Sequence, residues 1–168
     1  MESLTLRGEQ ASDRASIHAV HRVAFGRSDE GDLVNRLRTD GAVLASLVAE
    51  RDGRIVGHIL FSEMSIETTD ASVPAVALAP MAVLPEFQRK GIGGQLIRYG
   101  LDCLRDRGER IVLVLGHQPY YSRFAFSRRR ACALASPFPA GAFMALELSA
   151  TALDGIQGTV RYPKAFGL

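Results

Sequence analysis

The sequence predicts a single α/β (α+β) domain in which helices flank a central mixed β-sheet. The first observation is a strand–helix–strand unit: apolar runs at Val76–Val83 and Ile111–Leu115 enclose an amphipathic segment that ends near Asp106. A unit of this length joins two parallel strands by a right-handed crossover. The second observation is size, because 168 residues are a usual length for one domain with one core.

Composition narrows the class of protein. The net charge of +2 is too small to indicate nucleic-acid binding, and no apolar run approaches the roughly 20 residues of a membrane-spanning helix. The N-terminus lacks the basic start and apolar core of a signal peptide. Cys103, in the predicted helix, and Cys132, in a later strand, have no metal or redox spacing, so we interpret both as buried thiols. We therefore expect a cytoplasmic protein with no membrane partner.

The segment before the central unit predicts an edge strand at Leu4–Arg7 and two helices. Ser12–Asp13 caps the first helix, Ser28–Asp29 caps the second, and Gly41 ends it. His18 and His21 in the first helix have a spacing at which they could share a metal ion. No Glu or Cys nearby completes such a site, so we predict no metal.

A hairpin follows these helices. Ser46–Glu50 and Ile55–Phe61 flank Asp52–Gly53, and Asp-Gly between two apolar runs is a strong hairpin signal. The second strand is predicted to extend to about Ile66. The polar loop Glu67–Ser72 then separates it from the central strand.

Pro80 interrupts the central strand and cannot donate a ladder hydrogen bond. It favours a bulge that splays this strand from Ile111–Leu115, although it would also suit an edge strand. The splay would leave a row of free N–H and C=O groups, which suits an extended amide chain that pairs like an added strand.

The glycines Gly91, Gly93 and Gly94 lie where this strand passes into the helix. Glycine lets a ligand approach the backbone closely, and the first N–H groups of a helix have no internal partner. Arg89 and Lys90 add positive charge, so the segment predicts an anion site. A helix start that merely packs tightly is the alternative. The segment matches neither a P-loop nor a dinucleotide fingerprint.

These residues resemble a known family. Gln88-x-x-Gly91-x-Gly93 after a strand is similar to the acyl-CoA motif of the GNAT (Gcn5-related) superfamily of N-acetyltransferases. The stretch Tyr121–Phe126 is similar to the Tyr-x-x-x-Gly-Phe of that family, with Ala125 in place of glycine. The amino-acid sequences of both segments most resemble the bacterial YhbS-like branch of this superfamily.

The resemblance implies that residues 76–115 form the acyl-CoA-binding core and that acetyl-CoA is the co-substrate. Coenzyme A would run from the strand amides to the helix start, where its pyrophosphate would bind. The implied contacts are Met81, Ala82, Val83, Gln88, Arg89, Lys90, Gly91, Ile92, Gly93 and Gly94.

The implied reaction is transfer of an acetyl group to a primary amine of a small molecule or peptide, by direct attack in a ternary complex. Tyr121 is the expected general acid, since a phenol with a pKa near 10 keeps its proton at neutral pH, and Tyr120 is its rival. The base stays open among Glu63, His58, His117, water, and binding of an already neutral amine. In the family the two N-terminal helices border the acceptor groove, so we also expect substrate-facing side chains at Phe25, Glu30 and Leu33.

The C-terminal third predicts elements that close the sheet. The resemblance gives a short helix at Tyr120–Phe124, and Ser127–Ala133 and Ala142–Leu148 are predicted antiparallel strands. The tail, residues 149–168, is expected to dock through its aromatic side chains.

Two further hypotheses use the same residues. The fold could hold coenzyme A as a structural or sensing ligand without turnover. A nucleic-acid binder would use Ser127–Arg130, but the modest net charge disfavours it, and we expect no nucleic-acid partner. The sequence leaves open the acceptor, the acyl length and whether the chain forms a homodimer.

Overall fold

An eight-stranded sheet runs through the computed structural model, which describes residues 3–139 and 141–168. The strands are β1 Leu4–Gly8, β2 Val43–Arg51, β3 Arg54–Glu67, β4 Ser72–Val83, β5 Ile111–Leu115, β6 Leu134–Ala135, β7 Phe143–Glu147 and β8 Gly158–Arg161. The α-helices are α1 Arg14–Phe25, α2 Asp29–Thr39, α3 Ile92–Asp106 and α4 Gln118–Tyr121. Short 3₁₀ turns lie at Ala11–Asp13, Pro85–Phe87, Ser122–Phe124 and Lys164–Phe166. The predicted mixed α/β class is confirmed.

The sheet has the order β1-β2-β3-β4-β5-β7, and β8 pairs with β3 and β6. Along that order only the β4–β5 pair is parallel, as the crossover through α3 requires. Asp52 and Gly53 have φ of 49° and 78°, the left-handed pair that a tight hairpin needs, so the predicted hairpin is confirmed.

Strands β4 and β5 separate soon after they meet. In the described residues they pair only at Val76–Val112 and Ala77–Leu113. On the other side of β4 the register with β3 jumps between Leu78 and Met81, so a bulge surrounds Pro80 as predicted. The edge of β4 beyond Ala77 therefore faces a slot instead of a neighbouring strand, and the predicted splay of the sheet is confirmed.

Helices cover both faces of the sheet. Gly57 of β3 faces Leu96 of α3, whereas its neighbour His58 bonds to His21 of α1. Because successive strand residues point to opposite faces, α3 and α1 lie on opposite sides of the sheet. Helix α3 packs very closely, since a Cβ at Gly100 would lie 2.2 Å from the Phe61 ring.

The strand predicted at Ser127–Ala133 is wrong. Ser127 forms a single bridge to Ala145, and turns then lead to the two-residue strand β6. The Ser127 hydroxyl accepts a hydrogen bond from the Arg130 amide at 3.3 Å, and such a bond gives the backbone an alternative to the ladder. Cys132 consequently lies in a turn and is exposed, so its predicted burial is wrong, and Cys103 is only partly buried.

Two other boundaries differ from the prediction. Strand β4 already begins at Ser72, so Pro74 lies within the strand, opposite Ser65 of β3. The tail contains strand β8, which the sequence analysis missed. After β8, Tyr162 lies edge-on to Phe138, with ring centroids 5.4 Å apart. No helix in the described residues is long and apolar enough to span a membrane.

Candidate active site

The turn before α3 leaves the first backbone amides of that helix free. Gly91, with φ of 83°, caps the helix, and its carbonyl accepts the first helical bond from the Gln95 amide at 3.1 Å. The amides of residues 92–94 precede that bond and have no partner within the helix. The helix dipole adds partial positive charge there, so this end of α3 can bind an anion.

A cavity of about 610 Å³ joins this helix start to the free edge of β4; we call it the slot. Nine of the ten predicted coenzyme A contacts line the slot, namely Met81, Ala82, Val83, Gln88, Arg89, Gly91, Ile92, Gly93 and Gly94. Lys90 is the tenth, and its Nζ instead lies 5.6 Å from the Phe87 ring centroid. Gln88 braces the turn by donating from Nε2 to the Val83 carbonyl at 2.9 Å.

Two cations in the slot were missed by the sequence analysis. The Arg98 guanidinium lies 4.9 Å from the Phe124 ring centroid, and that of Arg123 lies 5.5 Å from the Tyr120 ring centroid. Stacking on these rings holds both cations without neutralising them. Arg98 had a usable signal, because it follows Gly94 by four residues and so lies on the same face of α3.

The two neighbouring tyrosines occupy different places. A Cβ at Gly93 would lie 2.8 Å from the Tyr120 hydroxyl, so Tyr120 reaches the helix start and requires glycine there. The Tyr121 ring instead lies beside Gly116, directly after β5, where a Cβ would be 2.4 Å away. Burial raises the pKa of both phenols, and that of Tyr121 reaches about 12. Both hydroxyls therefore stay protonated at neutral pH.

His58, one of the predicted bases, is fully buried in a hydrogen-bonded chain under α1. The Ser46 hydroxyl donates to the Glu9 carboxylate at 2.8 Å, so it accepts from Nε2–H of His58, also at 2.8 Å. The Nδ1 of His58 is then an acceptor, and Nε2–H of His21 donates to it at 2.8 Å. Burial lowers the pKa of both imidazoles, that of His21 to about 4, so both are neutral. His21 Nδ1 has no hydrogen-bond partner among the described residues.

The other predicted bases lie away from the slot. Glu63 lines a separate groove with Arg161 and Tyr162, and His117 is exposed at the start of α4. No cluster of three metal-ligand side chains occurs in the described residues, and His18 bonds Asp32 at 2.8 Å rather than approaching His21.

The three residues predicted to face the acceptor lie in different environments. Phe25 lines the slot and is 43% exposed. Glu30 is held by Arg27 at 2.9 Å, and Leu33 packs against the core. The structure thus brings only Phe25 to the slot.

The three arginines considered above for nucleic-acid binding also differ in their contacts. Arg130 pairs with Glu147 at 3.1 Å, whereas the side chains of Arg128 and Arg129 have no partner among the described residues.

Comparison with known proteins agrees with this geometry. A family model described as an acetyltransferase (GNAT) domain matches residues 5–129. The uncharacterized N-acetyltransferase YhbS of Escherichia coli K12 is 34% identical over 166 residues, covering 97% of this chain and 98% of YhbS. YjhQ of the same strain, also an uncharacterized N-acetyltransferase, is 44% identical over 117 residues. That match covers 68% of this chain and only 65% of YjhQ.

Two solved structures share the whole fold. Escherichia coli YhbS, crystallised in complex with CoA, superposes with a TM-score of 0.93 at 32% identity, covering 100% of this chain and 94% of that one. A GNAT family acetyltransferase from Brucella melitensis in complex with acetyl-CoA gives 0.82 at 37% identity, covering 98% of each chain.

Proposed function

Because this chain belongs to the GNAT superfamily of acetyltransferases, we propose that it transfers an acetyl group from acetyl-CoA to a primary amine of a small molecule or peptide, by direct attack in a ternary complex. The observation that supports this most is the slot, which connects an anion-binding helix start to an unpaired strand edge. Acetyl-CoA has a matching group for each part of the slot, with phosphates at one end and an amide chain leading to the thioester at the other.

Each part of the slot has a matching role in the proposal. The amides of residues 92–94 would hold the pyrophosphate, with Arg98 and Arg123 supplying charge. The free edge at Met81 and Val83 would pair with the pantetheine amides as an added strand does. The thioester would then lie towards the point where β4 and β5 separate; Tyr121 does not line the slot, but its ring lies beside Gly116, directly after β5.

We assign Tyr121 to the leaving thiolate and Tyr120 to the phosphate end, because Tyr121 lies beside the end of β5 and Tyr120 beside Gly93. A phenol with a pKa of about 12 is a weaker acid than a thiol, whose pKa is about 8.5. Complete proton transfer to the thiolate would be uphill. Tyr121 therefore stabilises the developing charge by donating a hydrogen bond, and the thiolate takes its final proton from solvent.

The attacking amine must lose a proton, because at pH 7.4 only about one in a thousand primary amines is neutral. His58 is already hydrogen-bonded at both ring nitrogens, and neither Glu63 nor His117 lines the slot. We therefore assign this proton to water. The observed rate should rise with pH through the neutral range as the neutral amine becomes more abundant.

Calorimetry tests the proposal at its binding step. Acetyl-CoA should bind with a salt-sensitive affinity, and a pantetheine analogue without phosphates should bind far more weakly. Gly93→Val should lower acetyl-CoA affinity by about 100-fold or more, because its side chain would meet the Tyr120 hydroxyl and crowd the free amides. Gly8→Val is the matched control, since the space around a Cβ at Gly8 is open. Equal affinity for both ligands would contradict the anion site.

Turnover is the second arm of the test. An acceptor screen that follows release of the coenzyme A thiol should find at least one amine that depends on the enzyme. Tight acetyl-CoA binding without turnover on any amine would favour the non-catalytic, coenzyme A-sensing module instead.

A further inference from the structure

A second cavity, of about 740 Å³, lies between α4 and the turns that follow Ser127; we call it the C-terminal cavity. Phe126 and Phe143 line it. The Phe126 ring is edge-on to that of Tyr121, with centroids 5.8 Å apart, and Phe143 pairs with Leu115 at the end of β5. The cavity therefore adjoins the strand end beside which Tyr121 lies.

The C-terminal cavity and the slot lie on different sides of α4. Gln118 and Ser122 line the C-terminal cavity, whereas Tyr120 and Arg123 line the slot. The two cavities have no lining residue in common among the described residues. A ligand in one can therefore be present together with a ligand in the other, as a ternary complex requires.

The charged side chains that line the C-terminal cavity in the described residues are all positive. Arg128 and Arg129 line it, and no Asp or Glu does so in the part of the chain that the structure describes. Neither guanidinium forms a hydrogen bond or ion pair with a described residue, whereas Arg130 next to them pairs with Glu147. An anion bound in the cavity would gain charge-assisted hydrogen bonds from these two guanidiniums.

We propose that the C-terminal cavity binds the acceptor through an anionic group, so that the substrate is an amine that also carries a carboxylate or a phosphate. This inference rests on the proposed function. With the anion at Arg128 and Arg129, the amine end would have to pass the buried Phe126 ring, which packs on Tyr121, to reach the thioester at the end of β5. The amine nitrogen bonds to the thioester carbonyl carbon, the carbon–sulfur bond breaks, the thiolate leaves, and water takes the proton from nitrogen.

A matched pair of acceptors tests the charge requirement. Nα-acetyl-lysine and its C-terminal amide present the same ε-amine and differ only in the carboxylate. The wild-type enzyme should acetylate the carboxylate form with a kcat/KM about tenfold higher, the effect of one or two partly exposed charge-assisted bonds. In the double variant Arg128→Gln/Arg129→Gln this ratio should fall to about one, while the KM for acetyl-CoA stays unchanged. Arg130→Gln is the control and should keep the preference.

Three results would overturn the inference. One is equal kcat/KM for both acceptors in the wild-type enzyme, which would leave acetyl transfer standing but remove the anionic substrate. Another is a rise in the KM for acetyl-CoA in the double variant, since the arginines would then serve coenzyme A. If neither lysine derivative is acetylated, NMR of the CoA-bound protein decides. Millimolar Nα-acetyl-lysine should shift the amide resonances of residues 127–129, and unchanged resonances would reject the cavity as an anion site.

Discussion

The polar groups on the two sides of the slot differ in whether they are hydrogen-bonded within the protein. On the side of α3 and α4, backbone amides, two stacked arginines and a tyrosine hydroxyl line the slot without a hydrogen-bond or ion-pair partner in the described part of the chain. On the side of α1 and β3, polar side chains are bonded to one another in what we call the buried chain. Its histidines, His21 and His58, are buried, and the residues that continue it, Ser46, Glu9 and Arg38, are partly buried.

This difference separates the groups that we assign to a ligand from structural ones. A buried polar group left unsatisfied costs about 1–3 kcal/mol, and three of the four ring nitrogens of His21 and His58 are hydrogen-bonded within the protein. The imidazole of His58 has used both nitrogens in this way, which makes it part of the scaffold under α1. The amides at the start of α3 reach water or a ligand instead, and their geometry is fixed by the turn rather than by side chains.

Tyr121→Phe should produce the largest effect on the ligand-binding side. The change removes one hydroxyl and keeps the ring that packs on Phe126. A positioned proton or hydrogen-bond donor at the reacting atoms contributes about 100- to 10,000-fold, so kcat should fall within that range. Acetyl-CoA affinity should barely change, because the phenol acts on the departing sulfur. Steady-state kinetics with the best acceptor from the screen measures both quantities.

Tyr120→Phe is the matched control for this prediction. Its hydroxyl lies near Gly93, at the proposed phosphate end, so its loss should raise the KM for acetyl-CoA and spare kcat. If Tyr120→Phe reduced kcat and Tyr121→Phe did not, the donor would be Tyr120. If neither variant slowed transfer, the chain would use no tyrosine in this step.

Lowering the pH should reduce the free energy of unfolding through the buried histidines on the side of α1 and β3. Burial lowers the pKa of His21 from 6.5 to about 4, so between these values the unfolded chain binds a proton that the folded chain does not. Stability is therefore complete above about pH 6.5 and is lost as pH falls towards 4. From pH 7 to pH 5, His21 alone should cost roughly 2 kcal/mol of unfolding free energy. Urea denaturation at the two pH values measures this loss.

Two variants show whether the loss comes from the buried chain. His21→Leu should remove the part of the pH dependence that comes from His21 and leave the part that comes from the buried His58, and His117→Gln, which changes an exposed histidine, should leave both intact. If His21→Leu instead altered the pH profile of kcat without changing stability, the buried chain would take part in catalysis and the contrast between the two sides would fail.

The sequence predicted the backbone geometry of the α3 side of the slot because that geometry depends on a few residues with special backbones. Gly91 adopts φ of 83°, and Gly93 admits the Tyr120 hydroxyl. Pro80 indicated the bulge that opens the slot, because proline cannot continue the ladder. Such local requirements are visible without knowing what packs against the chain.

The sequence could not predict the parts that depend on distant contacts. His21 and His58 are 37 residues apart, and only the folded structure shows that a hydrogen bond joins them. Arg98 is an exposed position whose stacking partner, Phe124, lies 26 residues further along the chain. The strand predicted at Ser127–Ala133 failed for the same reason, because Ala131 packs in the core from within a turn while Cys132 and Ala133 are exposed.

Gln88→Ala should give the smallest effect, and it tests whether the turn before α3 needs a side-chain brace. Gln88 donates from Nε2 to the Val83 carbonyl, which ties the turn to the end of β4. An exposed hydrogen bond contributes about 1 kcal/mol, so acetyl-CoA affinity should fall about fivefold with no change in kcat. Gln95→Ala changes an exposed glutamine in the first turn of α3 and should leave affinity unchanged. If both variants bind acetyl-CoA like the wild type, Gly91 and the backbone alone hold the turn, and the ligand-binding side depends even less on side chains than the structure indicates.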